Sequence, residues 1–456
     1  MRLSDTLTGE LVELPPPPEP IGMYVCGPTV YQRAHIGNAR PFVVFSWLRN
    51  WLRARGYDVT YIHNITDVND KIYEAAPRHS AARAREATEW YLEDTAALGL
   101  GMPDVLPLAT ETMPEIIALI GELIDSGHAY AVGGDVYFRV ASYPEYGRLS
   151  GQRPDRVEEQ EPNPLKEDAR DFALWKDNKP DEDTWWESPW GRGRPGWHIE
   201  CSAMAETYLG PEFWIHGGGL DLVFPHHENE VAQSRAVGRP FARIWMHNGL
   251  LRFIGEKMSK SLGNVATIKE VVDEWGREAA LLFFLTAHWH KPIDFSEETM
   301  TAAKAQVETF RNAYVSGRVV VPTDPEAEWG KLAAVLEDDF NTPAVLAVLH
   351  EWREAGYVDL LDQGLAIFGL RFRRADEQRR VIQVPAAEAR GAAELAFVVK
   401  VYGDASEGVR RLAEERYVAR QAKDFRRADE LRDHLLSQGW RVRDEPSGYI
   451  LEPANP

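Results

Sequence analysis

Residues Met23 to Asn38 read Met-Tyr-Val-Cys-Gly-Pro-Thr-Val-Tyr-Gln-Arg-Ala-His-Ile-Gly-Asn. Met23-Tyr24-Val25 is a short apolar run with an aromatic and a β-branched residue, the pattern of a buried strand. Gly27-Pro28 breaks it. Ala34-His35-Ile36-Gly37-Asn38 then leads into the apolar run Phe42-Val43-Val44-Phe45. A strand, a glycine-bearing turn and a helix start make a phosphate site: backbone N–H groups and the helix dipole face the anion, and glycine admits it closely. His35 offers a hydrogen bond to phosphate oxygens as charge builds on them. Cys26, one of only two cysteines in the chain, lies in the same stretch, so a nucleotide site and a thiol are neighbours in sequence.

Working outward, Val43 to Arg53 has helical apolar spacing, and Val59-Thr60-Tyr61-Ile62 follows as a strand that runs into Asn64-Ile65-Thr66-Asp67. This is β–α–β, the unit of a parallel sheet with crossover helices. Ala81 to Leu98 reads as a helix. From about Gly101 to Trp190 the pattern is interrupted by a helix (Pro114 to Ser126), short strands around Val136 to Val140 and a polar stretch from Gly151 to Lys166, as in an insertion between two halves of one fold. The α/β pattern resumes at Trp214-Ile215-His216 and at Arg243 to His247. From about Val271 to Phe425 the chain reads as mostly helical, and Gly439 to Leu451 as a small β-containing cap.

At 456 residues the chain is too long for one core. Its 44% hydrophobic and 27% charged residues are those of a soluble globular protein. No apolar run approaches the roughly 20 residues that span a bilayer, and no signal pattern opens the chain, so a cytoplasmic protein with no membrane partner is expected. The net charge of -20 argues against general polyanion binding but leaves room for a local basic groove. Two cysteines make no disulfide framework; they are reactive or metal-binding thiols, or buried spectators.

Cys201 sits in Gly196-Trp197-His198-Ile199-Glu200-Cys201-Ser202. It is followed by His216-Gly217-Gly218-Gly219-Leu220-Asp221 and by Phe224-Pro225-His226-His227-Glu228-Asn229-Glu230. On a helix His226 and Glu230 share a face. With Cys26 and Cys201 they make two thiolates, an imidazole and a carboxylate, a set that suits zinc. The same acids also suit a solvated helix start near the positive dipole end, and spacing does not choose between the two. Gly255-Glu256-Lys257-Met258-Ser259-Lys260-Ser261 places two lysines in a glycine- and serine-flanked loop. Such lysines can close on a triphosphate, or form an ordinary basic turn.

Taken together, Cys-Gly-Pro-Thr-Val-Tyr, His-Ile-Gly-Asn, Asn-Ile-Thr-Asp, Gly-Trp-His-Ile-Glu-Cys-Ser, Gly-Gly-Gly-x-Asp-Leu-x-Phe-Pro-His-His-Glu-Asn-Glu and Lys-Met-Ser-Lys-Ser resemble the class I cysteinyl-tRNA synthetase family, in order and over nearly the whole chain. The resemblance implies an α/β protein. Its parts are a Rossmann-type parallel-sheet catalytic domain with an inserted connective domain, an all-α helical region and a small C-terminal α+β cap. The implied segments are 1–105 and 196–255 for the two catalytic halves, 106–195 for the insertion, 256–310 for the mobile lysine loop and stem-contact region, 311–400 for a helical bundle and 401–456 for anticodon binding.

The same resemblance implies zinc held by Cys26, Cys201, His226 and Glu230. It implies ATP contacts and charge stabilisation by His35, Gly37, Asn38, Lys257 and Lys260, with Gly219 and Asp221 near the nucleotide, and an amino-acid pocket of Thr29, Thr66, Trp197 and His216. The implied reaction activates L-cysteine with ATP and Mg2+, zinc taking the thiolate, and acylates tRNA(Cys); a monomer is expected. Rival readings are a ligase passing cysteine to an amino-sugar and an inactive RNA-binding relative.

The chain departs from the family at four places. Asn38 replaces a second histidine, Asn69 replaces an aspartate, and His288-Trp289-His290-Lys291-Pro292 replaces a tyrosine-arginine pair. The end lacks the usual tryptophan and basic tail, leaving Tyr449 or Trp440 as aromatics for anticodon bases.

Overall fold

The computed structural model describes residues 1–152, 162–254, 266–315, 319–372, 379–383, 398–402, 406–445 and 448–454; Lys257 and Lys260 lie outside them. The chain forms two compact units, Met1–Thr309 with Val320–Arg371, and Phe310–Val319 with Phe372–Pro456.

The first unit is built on a four-stranded parallel sheet of β1 (Pro20–Val25), β2 (Asp58–His63), β3 (Glu212–Gly219) and β4 (Phe241–Asn248), in the order β4-β3-β1-β2. Met23, Tyr24 and Val25 are all buried, as in a strand covered on both faces. Chain order reverses direction across β1 and β3, so their carboxyl ends flank the crevice where open α/β sheets bind ligands. Val25 pairs with Gly217 on one side and His63 on the other. Helix α1 spans Ile36–Ala54 and starts seven residues before the expected Val43, because His35 and Asn38 form a capping box: the Asn38 side chain accepts the His35 N–H at 3.2 Å. Two further helices matter to the site, α2 (Trp197–Leu209) and α3 (Glu228–Ala236).

The interruption is a separate layer. A helix, Met113–Asp125, accompanies a five-stranded antiparallel sheet with strand order Ala129–Val132, Asp135–Phe138, Phe172–Asp177, Gly191–Pro195, Trp186–Ser188. It is tied to α3, where both carboxylate oxygens of buried Glu228 accept backbone N–H groups, of Gly147 and Ser150, at 2.8 Å each. Further helices run from Ile268–Trp275 to Val358–Ile367. No helix among the described residues is long and apolar enough to cross a membrane.

In the second unit the expected run of helix breaks. Arg379–Gln383 and Val398–Tyr402 are strands, and with Gly448–Pro453 and Trp440–Glu445 they form a four-stranded sheet beside helices Glu407–Gln421 and Phe425–Ser437. Val-Val-Lys-Val-Tyr is rich in β-branched and aromatic residues, which favour strand pairing. Tyr449 is not displayed for base stacking: it is buried with Val409, Ala413 and Leu435 and lies 5.4 Å from the Tyr417 ring. Arg416 is buried as well, its guanidinium on Asp444.

One contact fixes the end of β1. A Cβ on Gly27 would stand 1.6 Å from the Asn64 carbonyl oxygen, and the Gly27 N–H donates to Asn64 Oδ1 at 2.9 Å. Gly27→Ala is therefore expected to destabilise the first unit by about 3 kcal/mol, read as a lower thermal transition. An unchanged transition would mean that the strand ends separate at no cost.

Candidate active site

Cys26 follows the last residue of β1, and His216 lies near the carboxyl end of β3. His226 and His227 come from a wide i→i+5 turn, Val223–His227, in front of α3. Neighbours on a regular helix point about 100° apart. The segment kinks at the extended Phe224 (φ −137°, ψ 132°) before both histidines, and both rings are essentially without solvent contact. Glu230 is one helical turn beyond His226, with Oε1 3.1 Å from His226 Nε2.

These groups converge. Cys26 Sγ lies 3.5 Å from His226 Nε2, 3.5 Å from Glu230 Oε1, 3.4 Å from His227 Nε2 and 3.6 Å from His216 Nε2. Ligand atoms about 2.0–2.3 Å from a tetrahedral ion stand about 3.3–3.7 Å from one another, so this spacing fits a zinc-sized ion. The quartet within 4.8 Å of one another is Cys26, His226, His227 and Glu230. Cys201 stands just outside it. Its Sγ is 3.8 Å from Asn64 Oδ1, and it helps to raise the Cys26 thiol.

The donor chemistry makes the same point. Burial pushes the Glu230 carboxyl well up, and burial, then Cys201 and Glu230, push the Cys26 thiol up. Burial holds His226 and His227 well below the usual imidazole range and His216 at about 3. A carboxyl and a thiol thus sit in the interior among imidazoles that are neutral at pH 7, with no cationic side chain beside them among the described residues, a donor set compatible with a divalent ion. Outer hydrogen bonds orient the rings. His198 Nδ1 meets His226 Nδ1 at 2.9 Å, and His227 Nδ1 meets His247 Nε2 at 2.7 Å; His247 Nδ1 meets Thr6 Oγ1 at 2.8 Å. Each leaves the Nε2 of His226 or His227 toward Cys26, as metal-binding histidines are usually held.

In front of this group opens a cleft of about 450 Å³, lined by Cys26, Thr29, His35, Gly37, Asn38, Trp197, Gly219 and Asp221 among others. Thr29 and Thr66 are brought side by side as a parallel bridge. The Trp197 ring covers His226 with centroids 4.3 Å apart. A Cβ on Gly37 would meet the His35 ring at 2.8 Å, so glycine lets that ring fold over the start of α1. Burial lowers the pKa of His35, against a smaller opposing effect of Asp221, so it faces the cleft as a neutral hydrogen-bonding group. Ala266 O accepts the Ile36 N–H at 2.9 Å, which fixes the chain beyond the lysine segment against His35. Asn69 only caps a short helix, accepting the Lys71 N–H at 3.1 Å.

Sequence reasoning passed over His198, His227, His247, Asn64 and the pair His63–Tyr91. The adjacent histidines at 226 and 227 were the available signal, since a regular helix start would expose one of them. His63 donates from Nδ1 to the Val25 carbonyl at 3.1 Å and accepts the Tyr91 hydroxyl at Nε2, 2.7 Å away. Buried in that state, its pKa falls to about 4.

The folded pKa of His63 is below its unfolded value of about 6.5, so the unfolded chain binds the extra proton between these limits. Stability from His63 is complete above about pH 6.5 and is lost as pH falls toward 4. His63→Gln is expected to reduce the pH slope of unfolding free energy between pH 6 and 5 by about 1.4 kcal/mol per pH unit, measured by urea unfolding. An unchanged slope would show that His63 is protonated in the folded protein.

Residues 15–305 match the family of tRNA synthetases class I (C) catalytic domains. The chain is 43% identical to a cysteine–tRNA ligase of Anaeromyxobacter sp. (strain Fw109-5) over 98% of both chains. It is 44% identical to a cysteine–tRNA ligase of Methylobacillus flagellatus over 94% of both. Among solved structures it resembles Mycobacterium tuberculosis methionyl-tRNA synthetase in complex with methionyl-adenylate, with a TM-score of 0.53 and 16% identity over 77% of this chain and 82% of the other. It also resembles Agrobacterium radiobacter K84 LeuRS from a ternary complex, with a TM-score of 0.52 and 13% identity over 96% of each chain. At these identities the structural likeness concerns the fold.

Proposed function

This chain belongs to the class I cysteine–tRNA ligase family, and on that premise we propose that the cleft at the carboxyl ends of β1 and β3 is where it joins L-cysteine to ATP. The enzyme activates L-cysteine to cysteinyl-adenylate with release of pyrophosphate and transfers the cysteine to the terminal ribose of tRNA(Cys). The observation that carries the site assignment is convergence. Cys26, His226 and Glu230 meet at the back of the same cleft whose front displays His35, Gly37 and Asn38.

Cys26, His226 and Glu230 would hold zinc, with Cys201 as the fourth ligand and His227 the nearest competitor for that place. Bound there, zinc supplies a soft Lewis acid that favours the substrate's sulfur over a serine hydroxyl. His198 holds the His226 ring in place, and Trp197 walls the pocket beside it. Thr29, Thr66 and His216 complete the amino-acid pocket. This discrimination by sulfur requires no editing domain.

The substrate carboxylate attacks the α-phosphorus in line, and the protein contributes position and charge stabilisation. The His35 ring and the first N–H groups of α1 face the phosphates. Asn38 uses Oδ1 to cap His35 and turns its Nδ2 donor to the anion. Gly219 and Asp221 lie where the ribose binds. Lys257 and Lys260 neutralise the triphosphate together with Mg2+.

We assign 1–105 and 196–255 to the catalytic fold, 106–195 to the connective insertion, 256–310 to the lysine loop and stem contact and 401–456 to anticodon binding; the helical bundle expected over 311–400 gives way to strands at Arg379–Gln383 and Val398–Tyr402. The enzyme works in the cytoplasm as a monomer. Arg411 is paired with Glu415, Arg420 with Asp444 and Arg426 with Glu430, so a tRNA phosphate would compete with these acids for them.

A tRNA(Cys) transcript is expected to accept labelled cysteine with ATP and Mg2+, and not serine. Cysteine-dependent ATP–pyrophosphate exchange without label on the RNA would assign a different acceptor. Cys26→Ser is expected to lose zinc, read by atomic emission, and to slow cysteine-dependent exchange by more than about a hundredfold. Asn38→Asp keeps the acceptor for the His35 N–H but replaces the donor by a negative charge. Its thermal transition should stay near that of the wild type while exchange slows by about tenfold or more; equal exchange rates would remove Asn38 from the phosphate site.

A further inference from the structure

A second group of ligating side chains converges away from the cleft. Residues 288–290 read His-Trp-His, and they face Asp339 from a distant part of the chain. His290 Nδ1 lies 3.5 Å and His288 Nε2 4.0 Å from Asp339 Oδ2, and the two imidazole centroids are 4.2 Å apart. One ligand atom from each of the three residues lies within 4.8 Å of the other two.

The surroundings hold the group in place. Between the histidines, Trp289 is buried and donates Nε1–H to the Asp339 carbonyl at 2.7 Å. Arg40 reaches in from α1 and donates to the carbonyls of His288 and Lys291 at 3.2 and 2.7 Å. Asp339 has a left-handed backbone, φ 57°, and its carboxylate accepts the Ser4 N–H and hydroxyl at 2.8 and 2.7 Å. Those bonds leave one lone pair on Oδ2 toward the histidines.

A hydrogen-bonded clasp does not account for His288. Its Nε2 faces the Asp339 carboxylate at 4.0 Å, too long for a hydrogen bond but within reach of a shared ion. Burial, reinforced by His290, lowers its pKa to about 4, so the ring is a neutral ligand at pH 7. We propose that His288, His290 and Asp339 form a site for one divalent transition-metal ion of the zinc class, separate from the cleft, with its remaining coordination position open to water.

Two imidazoles and one carboxylate suit zinc, cobalt or nickel rather than magnesium or calcium. Contraction of the nitrogen–oxygen spacings to about 3.3 Å, a few tenths of an ångström at each side chain, gives a tetrahedral edge. The ion would clamp the segment that follows helix Arg277–Leu285 to the turn that precedes helix Thr342–Ala355.

The test is metal uptake. Wild type, His288→Ala and His290→Ala, each carrying whatever metal its cleft holds, are dialysed against micromolar Zn2+ and analysed by atomic emission. Wild type is expected to bind one equivalent more than either variant, while both variants retain cysteine-dependent exchange. Because the result is a difference, it stands whatever the count at Cys26. Equal uptake by all three proteins overturns the proposal. Where a variant does not fold, wild-type crystals soaked in Zn2+ and measured at the zinc edge decide. An anomalous peak between the three side chains supports the site, and its absence overturns it.

Discussion

The constraint on which the first unit turns is the burial of Glu230 beside Cys26, with no cationic side chain among the described residues to meet them. An ionised carboxylate is strongly destabilised there unless it is paired, and the imidazoles of His216, His226 and His227 are neutral. Such an arrangement persists only if something positive completes it or the acid stays protonated. Everything around it keeps the donor atoms from spreading apart: the wide turn before α3, the Trp197 ring, and the contacts from His198 and His247. The site is pre-formed by its second layer rather than by the ligand set alone.

The sheet provides the other half of the design. Strands β1 and β3 end side by side, and the chain leaves β1 through Gly27, where only a hydrogen atom fits against Asn64. That close approach puts Cys26 at the back of the crevice and the start of α1 at its mouth. Arg40 ties the mouth to its surroundings. Buried, with its pKa lowered to about 10 and so still charged at neutral pH, it donates to the carbonyls of Gly249, Leu250, His288 and Lys291. A single guanidinium thus satisfies carbonyls from two loops and holds the cleft rim to α1.

Much of this was legible in the chain itself. The apolar run at Met23–Val25, the glycine punctuation and the helical spacing after Phe42 identify the β–α–β unit because periodicity and turn chemistry are local properties. The helix start was read late because a capping box built from His35 and Asn38 is not the usual serine- or threonine-led pattern. The pairing of His226 with Glu230 followed from helical geometry, whereas their meeting with Cys26 depends on how two strands distant in sequence are ordered. The same limit hid His198, His247 and Asn64, whose roles exist only through contacts across the fold. In the second unit, charge-rich helices obscured the strands at Arg379–Gln383 and Val398–Tyr402, whose partners lie about fifty residues or more farther along the chain for one of them.

Helix α3 serves two masters along its first turn. His226 and Glu230 point to the ligand cluster, while Glu228 and Asn229, between them in sequence, are held by Gly147, Ser150 and Tyr146 of the inserted layer. The insertion is therefore not a detachable module. Excising it would leave Glu228 without both of its N–H donors, a loss of several kcal/mol in a buried carboxylate. A change at the 146–150 corner therefore reaches the helix that carries Glu230.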